Sequence, residues 1–319
     1  MFQDNYILVT GGAGFIGSNL IGKLLQNHKI VCIDNFNDYY NPEWKRQNIA
    51  RFLDNDNFHL IELDILDYKS LQEVFAQYKI FKIIHLAARA GVRPSLKDPF
   101  LYQSVNLQGT LNLLELSKIH KVEQFIFASS SSVYGNQKKT PFDEDDRVDN
   151  PVSPYAASKK SAELWCSTYA HLYKIPITCL RFFTVYGPSG RPDMAPYLFT
   201  KAIVDGKAIN KFGDGSTKRD YTFIDDIVEG ILKSIENVFD FEIINLGNNK
   251  PVTLNKFIAT LENIIGKKAK IVQKPIPAGD VLQTYANISK ANRLLNWKPK
   301  TSLAEGLNKF VIWYKQNRI

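Results

Sequence analysis

Tyr6-Ile7-Leu8-Val9-Thr10-Gly11-Gly12-Ala13-Gly14-Phe15-Ile16-Gly17 is the stretch that decides the fold. Its first five residues are apolar or β-branched and read as a buried strand. From Phe15 to Gln26 the pattern becomes helical, with Leu20, Leu24 and Leu25 on one face. The turn between them fits two glycine spacings at once, Gly12/Gly14/Gly17 and Gly11/Gly14/Gly17. Glycine there permits a tight turn, close approach of backbone to a pyrophosphate, and close packing of helix on strand. The helix N-terminus then aims its free N–H groups at the phosphates. A glycine turn of purely structural use is the alternative. Gly11, Gly14, Phe15, Ile16 and Gly17 are the candidate residues for a dinucleotide.

Working outward, short β-rich runs alternate with helical ones. Strands are predicted at Lys29–Asp34, Phe58–Leu63, Lys82–Ala87, Gln124–Ser129 and Ile177–Phe182, and helices at Phe100–Ile119 and Ser153–Tyr173. This alternation predicts an α/β fold built on a Rossmann-type, doubly wound parallel sheet. After about residue 183 glycine, proline and aspartate become frequent, as in Tyr186-Gly187-Pro188-Ser189-Gly190 and Phe212-Gly213-Asp214-Gly215. Amphipathic helices follow at Leu254–Ile265 and Leu303–Trp313. The expected organisation is a Rossmann domain with the catalytic residues over 1–182 and a smaller C-terminal substrate-binding lobe over 183–319. Some segments of that lobe are expected to return to the sheet.

The dinucleotide site extends beyond the glycine turn. Asp34 closes the second strand, followed by Asn35. A carboxylate there accepts hydrogen bonds from ribose hydroxyls and repels a 2′-phosphate, which favours NAD over NADP; a turn or cap residue is the other reading. Asp64 and Ile65 follow the third strand and suit the adenine edge. Leu86, Ala87 and Ala88 follow the fourth and offer small residues beside the cofactor.

Composition sets limits on function. The chain has 319 residues, 45% of them hydrophobic and 23% charged, a balance that excludes a disordered chain. Its net charge is +8, but the basic residues are dispersed, so an anionic small substrate or a generic basic surface is expected and a nucleic-acid partner is not. No apolar run reaches the roughly 20 residues of a membrane helix. Met1–Thr10 lacks the pattern of a signal peptide. A cytoplasmic protein with no membrane partner is expected. Cys32, Cys166 and Cys179 are odd in number, lack a CxxC and sit in apolar runs, which suggests buried free thiols. The histidines are widely spaced and predict no metal site.

The reactive groups follow the fifth strand. Ser129-Ser130-Ser131-Ser132 ends it, and Tyr155-Ala156-Ala157-Ser158-Lys159 opens the next helix. Tyr155 and Lys159, four residues apart, share a helical face. An ammonium and a positive nicotinamide ring favour phenolate over phenol, making Tyr155 a proton acceptor near neutral pH. A serine from the strand end can share the hydrogen bond of a substrate hydroxyl. An ordinary exposed Tyr–Lys pair is the alternative.

Together these motifs resemble the extended short-chain dehydrogenase/reductases, in their nucleotide-sugar epimerase and dehydratase branch, over essentially the whole chain. The resemblance implies that Ser130, Tyr155 and Lys159 are the catalytic triad and that Asn106 shapes the active site. It implies that Gly213 to Asp226 holds the nucleotide diphosphate, with Arg219 as phosphate partner, and that Asp280 in Ala278-Gly279-Asp280 contacts the nucleotide ribose. Dehydratases of the branch carry an Asp-Glu pair where Ser131 and Ser132 stand; neither serine is an acid or base near neutral pH, so dehydration is not expected. Arg181-Phe182-Phe183-Thr184-Val185-Tyr186-Gly187-Pro188, Gly190-Arg191-Pro192-Asp193-Met194-Ala195 and Asp34-Asn35-Phe36-Asn37-Asp38-Tyr39-Tyr40 are similar to the UDP-glucuronate 4-epimerase family. In that family the residues matching Thr184 and Arg191 face the sugar carboxylate. A guanidinium suits a carboxylate through two parallel bonds, though taken alone Arg191 reads as a surface arginine before a proline. Arg89 and Arg93 add positive potential near the sugar. The resemblance implies an NAD-dependent isomerase that works through a 4-keto UDP-sugar in polysaccharide biosynthesis, as a homodimer. A UDP-glucose or UDP-N-acetylglucosamine 4-epimerase, a UDP-glucuronate decarboxylase and an NAD-responsive binding protein remain alternatives.

Overall fold

The structure is a computed structural model that describes residues 5–277 and 280–318. Two compact units are present. One comprises Met1–Gly135, Arg147–Arg181 and Ile231–Ile244; the other comprises Asn136–Asp146, Phe182–Gly230 and Asn245–Ile319.

The first unit is built on a seven-stranded parallel sheet. Six strands come in chain order: β1 (Tyr6–Thr10), β2 (Lys29–Asp34), β3 (Phe58–Glu62), β4 (Ile80–His85), β5 (Gln124–Ser130) and β6 (Ile177–Phe182). The seventh, Phe241–Leu246, forms one edge, and the order across the sheet is Phe241–Leu246, β6, β5, β4, β1, β2, β3. The chain therefore winds from β1 to one edge and then crosses to β4, so the order reverses beside β1. In open α/β sheets the crevice at the carboxyl ends of such strands takes the ligand. Register aligns those ends: Thr10 stands opposite Ile33 of β2 and His85 of β4.

The core lies where sheet and helices meet. Leu8, Ile33, Ile83, Phe125 and Ile177 pack with Leu113, Leu116, Cys166 and Tyr169. Each fully buried aliphatic side chain contributes about 1.5–3 kcal/mol relative to exposure. Helix Pro154–Tyr173 starts where local chemistry dictates: Ser153 accepts a hydrogen bond from Ala156 N–H at 3.1 Å, and proline occupies the first turn. It stops at Lys174, whose φ of 57° is left-handed.

Several expected boundaries shift. The fourth strand spans Ile80–His85 rather than Lys82–Ala87, because Leu86 and Ala87 have left the sheet to pass the glycine turn. Their N–H groups donate to Thr10 O (3.1 Å) and Thr10 Oγ1 (3.3 Å). The stretch read as one helix, Phe100–Ile119, contains a π-type turn at Ser104–Gln108 between α-helical Pro99–Gln103 and Gly109–Ile119. Such turns are frequent at functional sites, and here the turn holds Asn106.

The second unit is built from short pairs and helices. Thr184–Tyr186 runs parallel to Tyr221–Phe223, Ala208–Phe212 parallel to Lys270–Lys274, and Lys218–Arg219 antiparallel to Val252–Thr253. Its core is aromatic: Tyr221 stacks on Phe257 at 4.6 Å, and Tyr197 meets Tyr314 edge-on at 5.2 Å. Burial of Tyr314 explains why the last helix runs Leu303–Arg318, beyond the expected Trp313. Asp220, fully buried, accepts hydrogen bonds from Asn248, Asn249 and Ala286 N–H, tying two distant chain segments to one carboxylate. Helix Leu254–Ile265 has the boundaries read from its pattern.

Candidate functional site

The glycine turn fits a dinucleotide on direct steric grounds. Gly11 has φ of +68°, and a Cβ there would lie 2.7 Å from Ala87 N. A Cβ on Gly17 would overlap Gly11 O, so helix and turn meet backbone to backbone. Gly14 caps helix Phe15–Leu24. Phe15 is buried and Ile16 half-buried behind the turn.

Asp34 is held in place by the same turn. Its Oδ2 accepts Ala13 N–H at 3.1 Å and its Oδ1 accepts Phe36 N–H at 2.9 Å. Burial pushes its carboxyl above the usual range, while those two N–H bonds and Lys45 pull it down. Each oxygen keeps a lone pair for a ribose hydroxyl. Asn35 Nδ2 donates to Asp64 Oδ2 at 2.8 Å, which joins the ends of β2 and β3, and Ile65 is buried next to them.

The β4 end is organised by Asn106. Its Oδ1 accepts Arg89 N–H at 2.7 Å, and its Nδ2 donates to Arg89 O and to Ser158 Oγ, both at 2.9 Å. Asn106 thus joins the Leu86-Ala87-Ala88-Arg89 segment to the helix that carries Tyr155. Arg89 reaches Asn37 Oδ1 at 3.4 Å.

Ser130, nearly buried, accepts Ser132 N–H at 3.1 Å, and Ser131 and Ser132 lie in the short turn that follows β5. Lys159 is 3% exposed. Its ammonium donates to Ala128 O at 2.7 Å and lies 4.8 Å from the Phe127 ring centroid, which locks helix Pro154–Tyr173 onto the strand that delivers Ser130. Burial pushes Lys159 down to about 8, against the opposing pull of Cys166, Glu163 and Cys179. Tyr155 is half-buried, with its ring edge-on to Tyr102 at 6.2 Å.

The remaining predicted residues belong to the second unit. Thr184 N–H donates to Asp220 O at 3.0 Å, adjacent to Arg219, which pairs in register with Val252. Arg191 is engaged by a neighbour: Nε donates to Asp193 Oδ1 at 3.0 Å and Nη2 to Oδ2 at 2.6 Å. Asp280 N–H donates to Pro277 O at 3.3 Å, while Ala278 and Gly279 lie outside the described residues.

Several organising residues had not been singled out from sequence. Asp193 is one. Another is His85, fully buried, with Thr10 Oγ1 2.7 Å from Nδ1 and Thr110 Oγ1 3.0 Å from Nε2. A third group is Glu163 and Arg181, an ion pair 1% exposed on both sides. The signal for that pair was present: an arginine inside the apolar run Ile177–Phe182 needs a buried carboxylate.

Comparison with known proteins gives a consistent picture. The sequence profile of the family described as GDP-mannose 4,6 dehydratase matches residues 8–310. The UDP-glucuronate 4-epimerase of Thermodesulfobacterium geofontis is 48% identical, over 98% of this chain and 97% of that protein. The crystal structure of a Bacillus cereus UDP-glucuronic acid 4-epimerase, solved with UDP-glucuronic acid and NAD, is 40% identical, with a TM-score of 0.91 over 98% of this chain and 99% of that one. A Thermotoga maritima UDP-glucose 4-epimerase with UDP-glucose is 34% identical, with a TM-score of 0.90 over 98% and 99% of the two chains.

Proposed function

This chain belongs to the extended short-chain dehydrogenase/reductases of the GDP-mannose 4,6 dehydratase type, and we propose that it is an NAD-dependent UDP-sugar 4-epimerase that interconverts UDP-glucuronate and UDP-galacturonate. The observation that carries the reading is the Lys159 ammonium, buried on the strand end that delivers Ser130 and one helical turn from Tyr155. The relatives that act on UDP-glucuronate support the choice of sugar. Dehydration, which names the wider family, calls for an acid and a base where this chain has Ser131 and Ser132.

The glycine turn, Asp34 and the Leu86–Ala88 segment would hold NAD, which would supply a reversible hydride acceptor for a reaction that passes through a 4-keto sugar. Tyr155 takes the proton of the C4 hydroxyl and later gives it back. Ser130 shares that hydroxyl's hydrogen bond. Lys159 favours the phenolate through its charge. Arg191 and Thr184 grip the sugar carboxylate, Arg219 and Asp280 hold the nucleotide, and Arg89 adds positive potential. A 4-keto uronate is a β-keto acid, and it loses carbon dioxide when its carboxylate bond aligns with the carbonyl π system. A two-pronged Arg191 grip holds that bond out of alignment.

The reading includes a homodimer: helix Pro154–Tyr173 exposes Leu164, Trp165 and Leu172, a large apolar face. It also includes cytoplasmic work supplying polysaccharide synthesis. In support, Cys32, Cys166 and Cys179 are free and buried, and no helix among the described residues is long and apolar enough to cross a membrane.

The decisive experiment incubates purified protein with UDP-glucuronate, without added cofactor, and follows products by NMR. UDP-galacturonate is the expected product. Faster turnover of UDP-glucose or UDP-N-acetylglucosamine would assign a neutral-sugar epimerase. A UDP-pentose as main product would assign a decarboxylase, and no product with any of the three sugars would leave the NAD-responsive binding protein.

A further inference from the structure

Beneath the reactive residues lies a buried ionic network that the mechanism above does not use. Glu163 sits one helical turn beyond Lys159. Its Oε1 accepts Ser129 Oγ–H at 2.6 Å and Arg181 Nε–H at 2.8 Å, and its Oε2 accepts Arg181 Nη2–H at 2.9 Å. Arg181 Nη1 donates to Tyr134 Oη at 3.0 Å, with the guanidinium 4.8 Å from the Tyr134 ring centroid. Ser129 precedes Ser130, and Tyr134 closes the turn that holds Ser131 and Ser132. One carboxylate–guanidinium pair therefore ties together β5, β6, the serine turn and the catalytic helix.

We propose that Glu163, clamped by Arg181, is a positioning residue that fixes the charge on Lys159. Removing two charges from water is costly, and a buried pair persists only where geometry satisfies both partners, as here. The groups facing Lys159 can be named from every side. Strand β5 presents Ala128 O, the Phe127 ring and Ser129. Strand β4 presents His85, which burial foremost and then Lys159 hold down at about 3, so it stays neutral. Strand β6 presents Cys179, which burial pushes far above its ordinary value, so it stays a thiol, and Arg181. The helix itself presents Tyr155, Cys166, Glu163 and Lys160, whose ammonium lies 3.6 Å from Glu163 Oε2. Glu163 is the one carboxylate in this set. Arg181 and, at 3.6 Å, Lys160 offset most of the Glu163 charge, so Glu163 pulls the Lys159 pKa up only in part and burial still dominates. Without Glu163, Arg181 would repel that ammonium; without Arg181, Glu163 would over-stabilise it.

The inference rests on the proposed function for the role of Lys159, and its test has an arm that needs neither sugar nor turnover. The variants are Glu163→Gln and Arg181→Met. In the activity arm, the alkaline limb of the kcat profile moves down by about one pH unit in Glu163→Gln and up by about as much in Arg181→Met. The double variant returns it to the parent position. In the melting arm, the sign follows from Lys159 lying below its ordinary value in the folded protein. The unfolded chain then holds a proton the folded one has released, so this group's penalty is full below about 8 and fades as pH rises. The Tm deficit of Glu163→Gln therefore shrinks as pH rises through that range, while that of Arg181→Met grows. Parallel, pH-independent deficits with an unmoved limb would overturn the proposal and leave a purely structural ion pair. If either variant fails to fold, Glu163→Asp and Arg181→Lys replace it. They keep the charge but spoil the fork, so the limb holds in them and moves in the charge-removing variant that folds; a moved limb in the first or a fixed limb in the second overturns the proposal. A shifted melting profile in a protein inactive on every UDP-sugar would sink the epimerase reading and leave this inference standing.

Discussion

Lys159 and Arg191 are both cations assigned to one reaction, yet their surroundings are opposite. Lys159 is buried and donates to a backbone carbonyl, so its charge is costly and its pKa falls. Arg191 is partly exposed and lies across a carboxylate two residues away. A cation that tunes a proton acceptor must be desolvated to act strongly. A cation that grips and releases a substrate gains from a nearby carboxylate that exchanges with it. On the proposed reading, the first unit stores electrostatic potential and the second a replaceable contact.

Three substitutions probe that contrast. Tyr155→Phe removes the proton acceptor and is expected to lower kcat by roughly 10²–10⁴-fold with little change in binding. A loss under tenfold would mean that the buried charge serves something other than proton transfer. Arg191→Ala removes a charge-assisted pair worth about 1.5–3 kcal/mol and should lower kcat/KM by roughly 10–100-fold. NMR should also show a raised share of pentose product, and unchanged turnover without pentose would remove Arg191 from the sugar. Asp193→Asn is expected to have the smallest effect. It weakens the competitor for the guanidinium, so KM for UDP-glucuronate should fall by at most about fivefold, in line with a surface pair of up to about 1 kcal/mol. An increase in KM would show instead that Asp193 presents Arg191 to the substrate.

Much of the fold was legible because its signals are local and periodic. Helix Leu254–Ile265 and strand Ile177–Phe182 have the boundaries their patterns predict, and the glycine turn declared its steric needs through spacing alone. What stayed hidden depends on partners distant in sequence. Nothing in Phe100–Ile119 announces a π-type turn, and the partners of the Asn106 within it, Arg89 and Ser158, lie 17 and 52 residues away. Asp193 beside Arg191 reads as loop polarity until the two-pronged bond is seen. A return of some C-terminal segment to the sheet was expected, but which one was not legible: Phe241–Leu246 takes the edge through its pairing, which its own sequence does not announce.

The hydrogen bonds around His85 have a direction. Thr110 has a single hydroxyl proton and gives it to Asn106 O at 2.6 Å. Its oxygen must then receive one from Nε2, which selects one tautomer of the imidazole. Nδ1 is left to accept from Thr10, whose oxygen in turn accepts the Ala87 N–H. The run from Ala87 to Asn106 therefore has a single sense, and reversing one link would set two donors face to face. Because the ring does not gain a proton until pH falls to about 3, this relay is insensitive to ordinary acidity. It keeps the same polarity whenever the protein is folded.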